Sequence, residues 1–372
     1  MAVHYRKDSF PPVNMDYAPL IPLLGPTTAA VARYDATLAM LQNPALLLSP
    51  LTTREAVLSS RIEGTQATLS EVMEYEADGG QTPVDEHRRN DIVEVLNYRK
   101  AMYEAERQLA TLPLTGRVIL NAHRVLMEGA RGQNRAPGEY RRTPNWIGPE
   151  GCDINGARFV PISAADIPVA IGTWERYVHS SEPADRLIQA SVIHAEFEAI
   201  HPFLDGNGRL GRMLVPLFLW QKEVISRPMF YISAAIEARR EEYYERLLAV
   251  SRDGDWTGWC VFFLGIIKAQ AEENQAKAGA IFRLHQEMVH KVAEITRSQY
   301  APRACQAIFS NPFFSINEFI TTSQIPPPAG RKITMALRNH GIIRELRKGG
   351  GRRSALFVFP ELVNMAEGKA VV

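Results

Sequence analysis

Cysteine is scarce. Cys152, Cys260 and Cys305 are the only three in 372 residues, too few and too scattered for a disulfide framework or a thiolate zinc site, so all three read as free thiols. Long apolar runs are missing as well. The longest, such as 261–267, fall far short of the roughly 18–20 residues that span a bilayer, which excludes a transmembrane helix and gives no membrane partner. Residues 1–14 carry Arg6, Lys7, Asp8 and two prolines but no apolar core of a secretory signal, so the expected compartment is cytoplasmic. No charge of one sign dominates: 42 Lys and Arg stand against 41 Asp and Glu, which removes any general attraction of the whole molecule for nucleic acid or anionic membrane. Repeats, low-complexity tracts, a Walker A loop, a GxSxG elbow and kinase signatures are all absent.

What remains is an ordinary globular composition, 46% hydrophobic and 22% charged, and a length that suggests about two to three domains. Residues 1 to 30 hold five prolines and read as an extended arm with little helix, laid on the surface or over a neighbour. Helical periodicity follows to about residue 110, carried by Val31, Leu38, Val57, Ile62, Ile92, Val95 and Leu96 and broken at 79–83. A second helical region runs from about 114 to 270, interrupted at 137–161 by glycine, proline and β-branched residues that predict a hairpin with strands near 140–147 and 157–162. After a helix to about 298, short helices at 316–321 and 330–340 and strands at 342–347 and 354–359 predict a winged helix. The expected fold is mainly α, divided as 1–112, 113–275 with a flap at 137–161, and 276–372. The last part contains the one local charge excess, eight Lys or Arg against Glu345 over 331–353.

The informative stretch is 194–212, HAEFEAIHPFLDGNGRLGR. Leu187, Ile193, Phe197 and Ile200 share a helical face until Pro202 stops the helix. Asp-Gly-Asn-Gly then supplies turn chemistry, and an apolar helix follows at once. Helix, glycine-rich turn and helix N-terminus form an anion cradle: the amides of Gly206, Asn207, Gly208 and Arg209 can point at one phosphate, with Arg209 and Arg212 at i, i+3 over its neighbours. Asp205 is the oxygen ligand that a phosphate-bridging magnesium ion would want, and His201 is the nearby side chain able to accept a proton near neutral pH. A competing reading takes His194, Glu198 and His201, at i, i+4, i+7, as zinc ligands. It lacks the Glu directly after the first His of HExxH and leaves the turn and arginines without a role.

Residues 201–212, HPFLDGNGRLGR, match in full the motif HPFx[DE]GN[GK]RxxR, and the chain resembles the Fic (Fido) family, whose members mostly transfer AMP from ATP to a protein hydroxyl. The resemblance implies a Fic-type helical core with a β-hairpin flap, an N-terminal helical region and a C-terminal winged helix. It makes His201 the general base and Asp205 the Mg2+ ligand, puts Asn207 and the turn amides on the α- and β-phosphates of ATP, and puts Arg209 and Arg212 on the β- and γ-phosphates. Residues 138–161 resemble the flap that holds a protein substrate by strand addition, with Ile147 and Gly148 beside the nucleotide, and Tyr243-Tyr244 resembles the paired tyrosines near adenine. Arg252, where relatives can carry Asn, is a further candidate at the base. Ser59-Ser-Arg-Ile-Glu63-Gly64 fits the inhibitory motif [ST]xxxE[GN], which implies a Glu63 carboxylate paired with Arg212 in place of the γ-phosphate.

Two other functions compete. The same site, with Glu63 orienting a water, would remove AMP from modified proteins. Alternatively the chain is a nucleotide-sensing regulator that binds DNA through its basic wing. The expected partners are a protein substrate along the flap, the chain itself as substrate, a homodimer, and DNA at the C-terminal region.

Overall fold

The computed structural model describes residues 2–129, 134–149, 151–183, 185–350 and 354–372. The chain is mainly α-helical, as the periodicity predicts. β1 (Val3–His4) precedes α1 (Ile21–Ala39), α2 (Pro44–Leu47) and α3 (Ser49–Ile62), followed by α4 (Leu69–Ala77), α5 (Glu86–Leu109) and α6 (Gly116–Leu126). β2 (Phe159–Val160) leads into α7 (Ile167–His179), α8 (Arg186–Ile200), α9 (Asn207–Gln221), α10 (Ser233–Ala238), α11 (Arg240–Asp253) and α12 (Trp256–Thr296). Beyond them come α13 (Ala301–Ser310), β3 (Phe313–Ser315), α14 (Ile316–Ser323), α15 (Pro327–Asn339), β4 (Arg344–Arg347), β5 (Leu356–Val358) and α16 (Pro360–Glu367). They form two compact units, one from 1–35, 58–64 and 97–272, the other from 36–57, 65–96 and 273–372.

The first unit is built on α8 and α9. Both are buried along nearly their whole length, which is why their sequences are apolar on more than one face. Asp185 starts α8 by accepting the amides of Leu187 and Ile188 at 2.7 and 3.2 Å. The proline-rich arm is shorter than expected, because α1 begins at Ile21; Pro22 sits in its first turn, where an amide hydrogen has no acceptor in the helix. The arm is also not featureless: β1 pairs in parallel with β2, Val3 opposite Phe159 and His4 opposite Val160. The expected flap hairpin is reduced to a single antiparallel bridge, Ile147 to Phe159, since Pro144 and Pro149 flank Ile147 and cannot donate to a ladder.

In the second unit β3, β5 and β4 form a three-stranded antiparallel sheet in that order, with Ser315 capping α14 through the Glu318 amide at 3.1 Å. Helix α13, strand β3 and helix α16 were not visible in the sequence pattern. The basic window is partly neutralised: Arg347 pairs with Asp78 at 2.6 Å and Arg338 with Glu345 at 2.8 Å. Arg352 and Arg353 lie outside the described residues.

Candidate active site

The site forms where α8 ends. Pro202 cannot continue the helix, and His201 turns into the left-handed region at φ 48°, ψ 60°, a conformation costing a non-glycine residue about 1 kcal/mol or more. Its surroundings hold it there: the His201 amide donates to Phe197 O at 3.0 Å, and Arg141 donates through Nε to His201 O at 2.9 Å and through its amide to Pro202 O at 2.9 Å. Arg141 is only 2% exposed and spends its guanidinium on backbone carbonyls. His201 Nδ1 donates to Glu198 O at 3.3 Å, so Nε2 is the nitrogen left to act as a base. Burial pushes the imidazole down to about 4, which keeps it neutral at pH 7.

The turn after it is fixed from two sides. His123, stacked on Phe203 at 3.8 Å, accepts the Gly138 amide on Nδ1 at 2.9 Å and donates Nε2–H to Asp205 O at 3.1 Å. The Asn207 side chain brackets the backbone of Phe203, accepting its amide and donating to its carbonyl, both at 2.9 Å. Gly206 takes φ 79°, open to glycine at little cost, and α9 starts at Asn207. The amides of Asn207 and Gly208, in the first turn, therefore have no acceptor within the helix. Asp205, with 43% of its side chain exposed, accepts Arg209 Nη2 at 3.1 Å. Among the described residues no three His, Cys, Asp or Glu cluster as a complete metal site. A half-exposed carboxylate beside a phosphate cradle fits magnesium, which takes one or two carboxylates and completes its shell with phosphate oxygens and water.

The last turn of α3 closes over the cradle. Arg212, 1% exposed, donates Nη2 to Glu63 Oε1 at 2.6 Å and to Ser59 O at 2.8 Å, and Nε to Ser59 Oγ at 2.9 Å. Burial works against the guanidinium charge, but the neighbouring Glu63, Tyr243 and Glu198 hold its pKa above the ordinary value. Glu63 Oε1 lies against the position that a Cβ on Gly208 would take, so the carboxylate rests on the helix N-terminus and would have to shift for a larger residue there. The turn is held from behind by Arg240 Nη2 to Ile62 O at 2.7 Å, and Gly64 follows at φ 105°.

A cavity of about 470 Å³ opens beside this turn, bounded by Ile147, Gly148 and Phe159 of the flap, Glu198 of α8, and Tyr244 and Leu248 of α11. The tyrosine assignment needs correction: Tyr243 is 1% exposed and points into the core, its hydroxyl donating to His194 Nε2 at 2.9 Å, while Tyr244 faces the cavity. Arg252 is not at the cavity either, being paired with Glu245 at 2.9 Å and with Asp253 at 2.8 Å. His194 donates its other nitrogen to Gly211 O at 2.9 Å; with both ring nitrogens engaged in the core, the zinc triad is excluded. Burial pushes the Glu198 carboxyl up to about 8, with Arg212 opposing and Glu63 adding to the shift. Sequence reasoning missed Arg141 and His123, which sit 60 and 82 residues from the backbone they hold and belong to no local motif.

Comparison with known proteins gives one consistent group. The pattern of the Fic/DOC family N-terminal region matches residues 21–123, and that of the Fic/DOC family matches 113–219. A probable protein adenylyltransferase of Aquifex aeolicus is 28% identical over 195 residues, 51% of this chain and 56% of the relative. Protein adenylyltransferase Fic of Drosophila grimshawi is 26% identical over 200 residues, 52% of this chain and 37% of the relative. The matches thus span about half or less of these relatives' lengths. Among solved structures, a Fic family protein from Desulfovibrio desulfuricans shares the fold over 94% of this chain and 98% of its own, at TM-score 0.60 and 22% identity. Fic-1 of C. elegans shares it over 72% of this chain at TM-score 0.52 and 18% identity.

Proposed function

Because the chain belongs to the Fic/DOC family, we propose that it is a protein adenylyltransferase, moving AMP from ATP to a Ser, Thr or Tyr hydroxyl of a target protein, and that it is held inactive by Glu63. The observation that carries this reading is the junction of α8 and α9: a neutral histidine with Nε2 open and a helix N-terminus with two buried arginines, next to an apolar cavity that Glu198 of α8 helps to line. His201 Nε2 takes the proton of the target hydroxyl as its oxygen attacks the α-phosphorus in line, and pyrophosphate leaves from the opposite side. The amides of Asn207, Gly208 and Arg209, with Arg209 and Arg212, bind and stabilise the phosphate oxygens. Asp205 is the residue that would hold Mg2+, whose charge would offset that of the phosphates. The base of ATP occupies the cavity, against Ile147, Gly148 and Tyr244.

Inhibition is a competition for one guanidinium. While Glu63 occupies Arg212 and the N-terminus of α9, the γ-phosphate meets a carboxylate instead of a cation, and the α-phosphate is turned out of line. A second reading, removal of AMP by water, draws on the same position of Glu63, whose side chain is 34% exposed and so able to orient a water above the cradle. Cytoplasmic location is part of the proposal, in keeping with the absence, among described residues, of any helix long and apolar enough to cross a membrane. Transfer from α-labelled but not γ-labelled ATP to protein tests the reaction class. Label from the γ position instead would make the chain a phosphotransferase and overturn the reading.

A further inference from the structure

The flap walls the nucleotide cavity but has little structure of its own. Its two sides are joined by three backbone hydrogen bonds, Ile147 N to Phe159 O at 2.9 Å and the amides of Arg158 and Phe159 to Ile147 O at 2.8 and 3.0 Å. A two-stranded ribbon of this size is marginal in water. On the opposite edge of β2 lies β1, with Val3 N donating to Arg158 O and Tyr5 N to Val160 O, both at 2.9 Å. We propose that residues 3–10 are a strap that fixes the flap against the helices of the site, making Val3 and Tyr5 positioning residues for nucleotide and target binding.

The strap meets the rest of the site at three further places. The Tyr5 hydroxyl donates to Glu196 Oε1 at 2.7 Å, and Glu196 is a 2% exposed residue of α8, the helix that ends in His201. The flap is thereby tied to the element carrying the base. Burial pushes the Glu196 carboxyl up to about 8, and loss of the tyrosine hydroxyl would strip a hydrogen bond from a group already out of water. Arg6 Nη1 lies 2.7 Å from where a Cβ on Gly254 would sit, at the left-handed cap of α11. The Phe10 ring packs edge-on against Tyr177 at 5.1 Å and lies 6.2 Å from Trp256. Val3 also lines a second cavity of about 640 Å³, which shares Arg158, Tyr244 and Leu248 with the nucleotide cavity. Displacing the strap would therefore remove a wall next to the base.

The pairing also closes one docking route. Both edges of β2 are occupied, one by Ile147 and the other by β1, so a target segment that adds as a strand is confined to the outer edge of the Ile147 side.

The test is hydrogen exchange on the full chain. Val3→Pro removes the amide that donates to Arg158 O, and Tyr5→Phe keeps the strand but cuts the tether to Glu196. Val3→Pro is expected to speed exchange of the amides of Ile147, Arg158 and Phe159 by about tenfold or more while leaving those of α8 unchanged, with a smaller effect from Tyr5→Phe. Unchanged exchange at these amides in both variants overturns the strap, and so does faster exchange spread evenly over α8 and α9, which would mark a general loss of fold. The kinetic consequence rests on the adenylyltransferase reading: in the Glu63→Gly background, Val3→Pro should raise KM for ATP by about tenfold and leave kcat within about twofold. If Glu63→Gly transfers no AMP, that reading fails, and the exchange result still decides the strap.

Discussion

A single backbone conformation organises the chemistry at the level of residues. His201 is one of the few non-glycine residues with positive φ, and its strain is balanced by Arg141, whose guanidinium hydrogen-bonds to backbone carbonyls. His201→Ala should lower AMP transfer by about a hundredfold or more while ATP affinity stays within about threefold, because the phosphate cradle does not depend on the imidazole. Calorimetry with ATP on the Glu63→Gly background checks this, and a parallel loss of affinity would make His201 structural. The buried titratable groups also set a pH dependence of stability. Burial lowers His123 to about 4, His194 to about 3 and His201 to about 4, so from the ordinary histidine value down to these the unfolded chain binds more protons and stability falls as pH falls. Glu196 and Glu198 are raised to about 8, so from the ordinary carboxyl value up to there the folded chain binds more protons and stability falls as pH rises. Burial also lowers His285 and raises Glu106 and Glu318, so the two sets oppose each other where the windows overlap, and only the carboxyls act above the histidine value. Tm should therefore fall as pH rises from about 6.5 to about 8; a Tm rising over that range would contradict this assignment.

Among the elements, the last turn of α3 and the first turn of α11 act together. Ile62 O receives Arg240 Nη2 at 2.7 Å and the Tyr244 hydroxyl at 3.4 Å, so the segment that presents Glu63 is held by the helix that also faces the cavity. Arg240→Ala should loosen this hold and raise AMP transfer several-fold, short of the Glu63→Gly effect; a rate equal to wild type would show that the Ser59 and Glu63 contacts with Arg212 suffice. The elements also show what a sequence discloses. The α8–turn–α9 unit was legible because its determinants, Pro202, Gly206 and an apolar run, are contiguous. The helix pattern at 316–340 and the strands around 348–351 were legible for the same reason. Tyr243 was misassigned because adjacent helical residues point about 100° apart, and only packing decides which of two tyrosines faces the cavity. The pairing of β1 with β2 joins segments about 155 residues apart, and the Tyr5–Glu196 hydrogen bond spans 191. No local pattern carries such information, whereas Glu63–Arg212, 149 apart, was anticipated because both ends fit motifs of one family.

For the whole molecule, the near balance of 42 basic and 41 acidic residues makes any nucleic-acid binding a property of one patch. With Arg338 and Arg347 paired to carboxylates, the exposed basic side chains described there are Arg331, Lys332, Arg344 and Lys348. We propose that this region docks protein rather than reading a DNA sequence. Anisotropy titrations should show no discrimination between duplex sequences and a salt slope no steeper than about −5.4, six phosphates at about 0.9 each once Arg352 and Arg353 are counted with these four; sequence-selective binding would restore the regulator reading. In the proposed inhibited state an anion of the protein itself takes the place of the γ-phosphate, and the decisive measurement is intact mass after incubation with Mg-ATP. Glu63→Gly should gain AMP, on itself or on a target, at a rate on the order of a hundredfold above wild type, since misplacing the reacting atoms by about 1 Å costs that much. Arg212→Ala should stay slow, and the double variant should be as slow as Arg212→Ala alone, because the arginine serves both the inhibitor and the nucleotide. A Glu63→Gly chain no faster than wild type, or a double variant as fast as Glu63→Gly, would contradict the account.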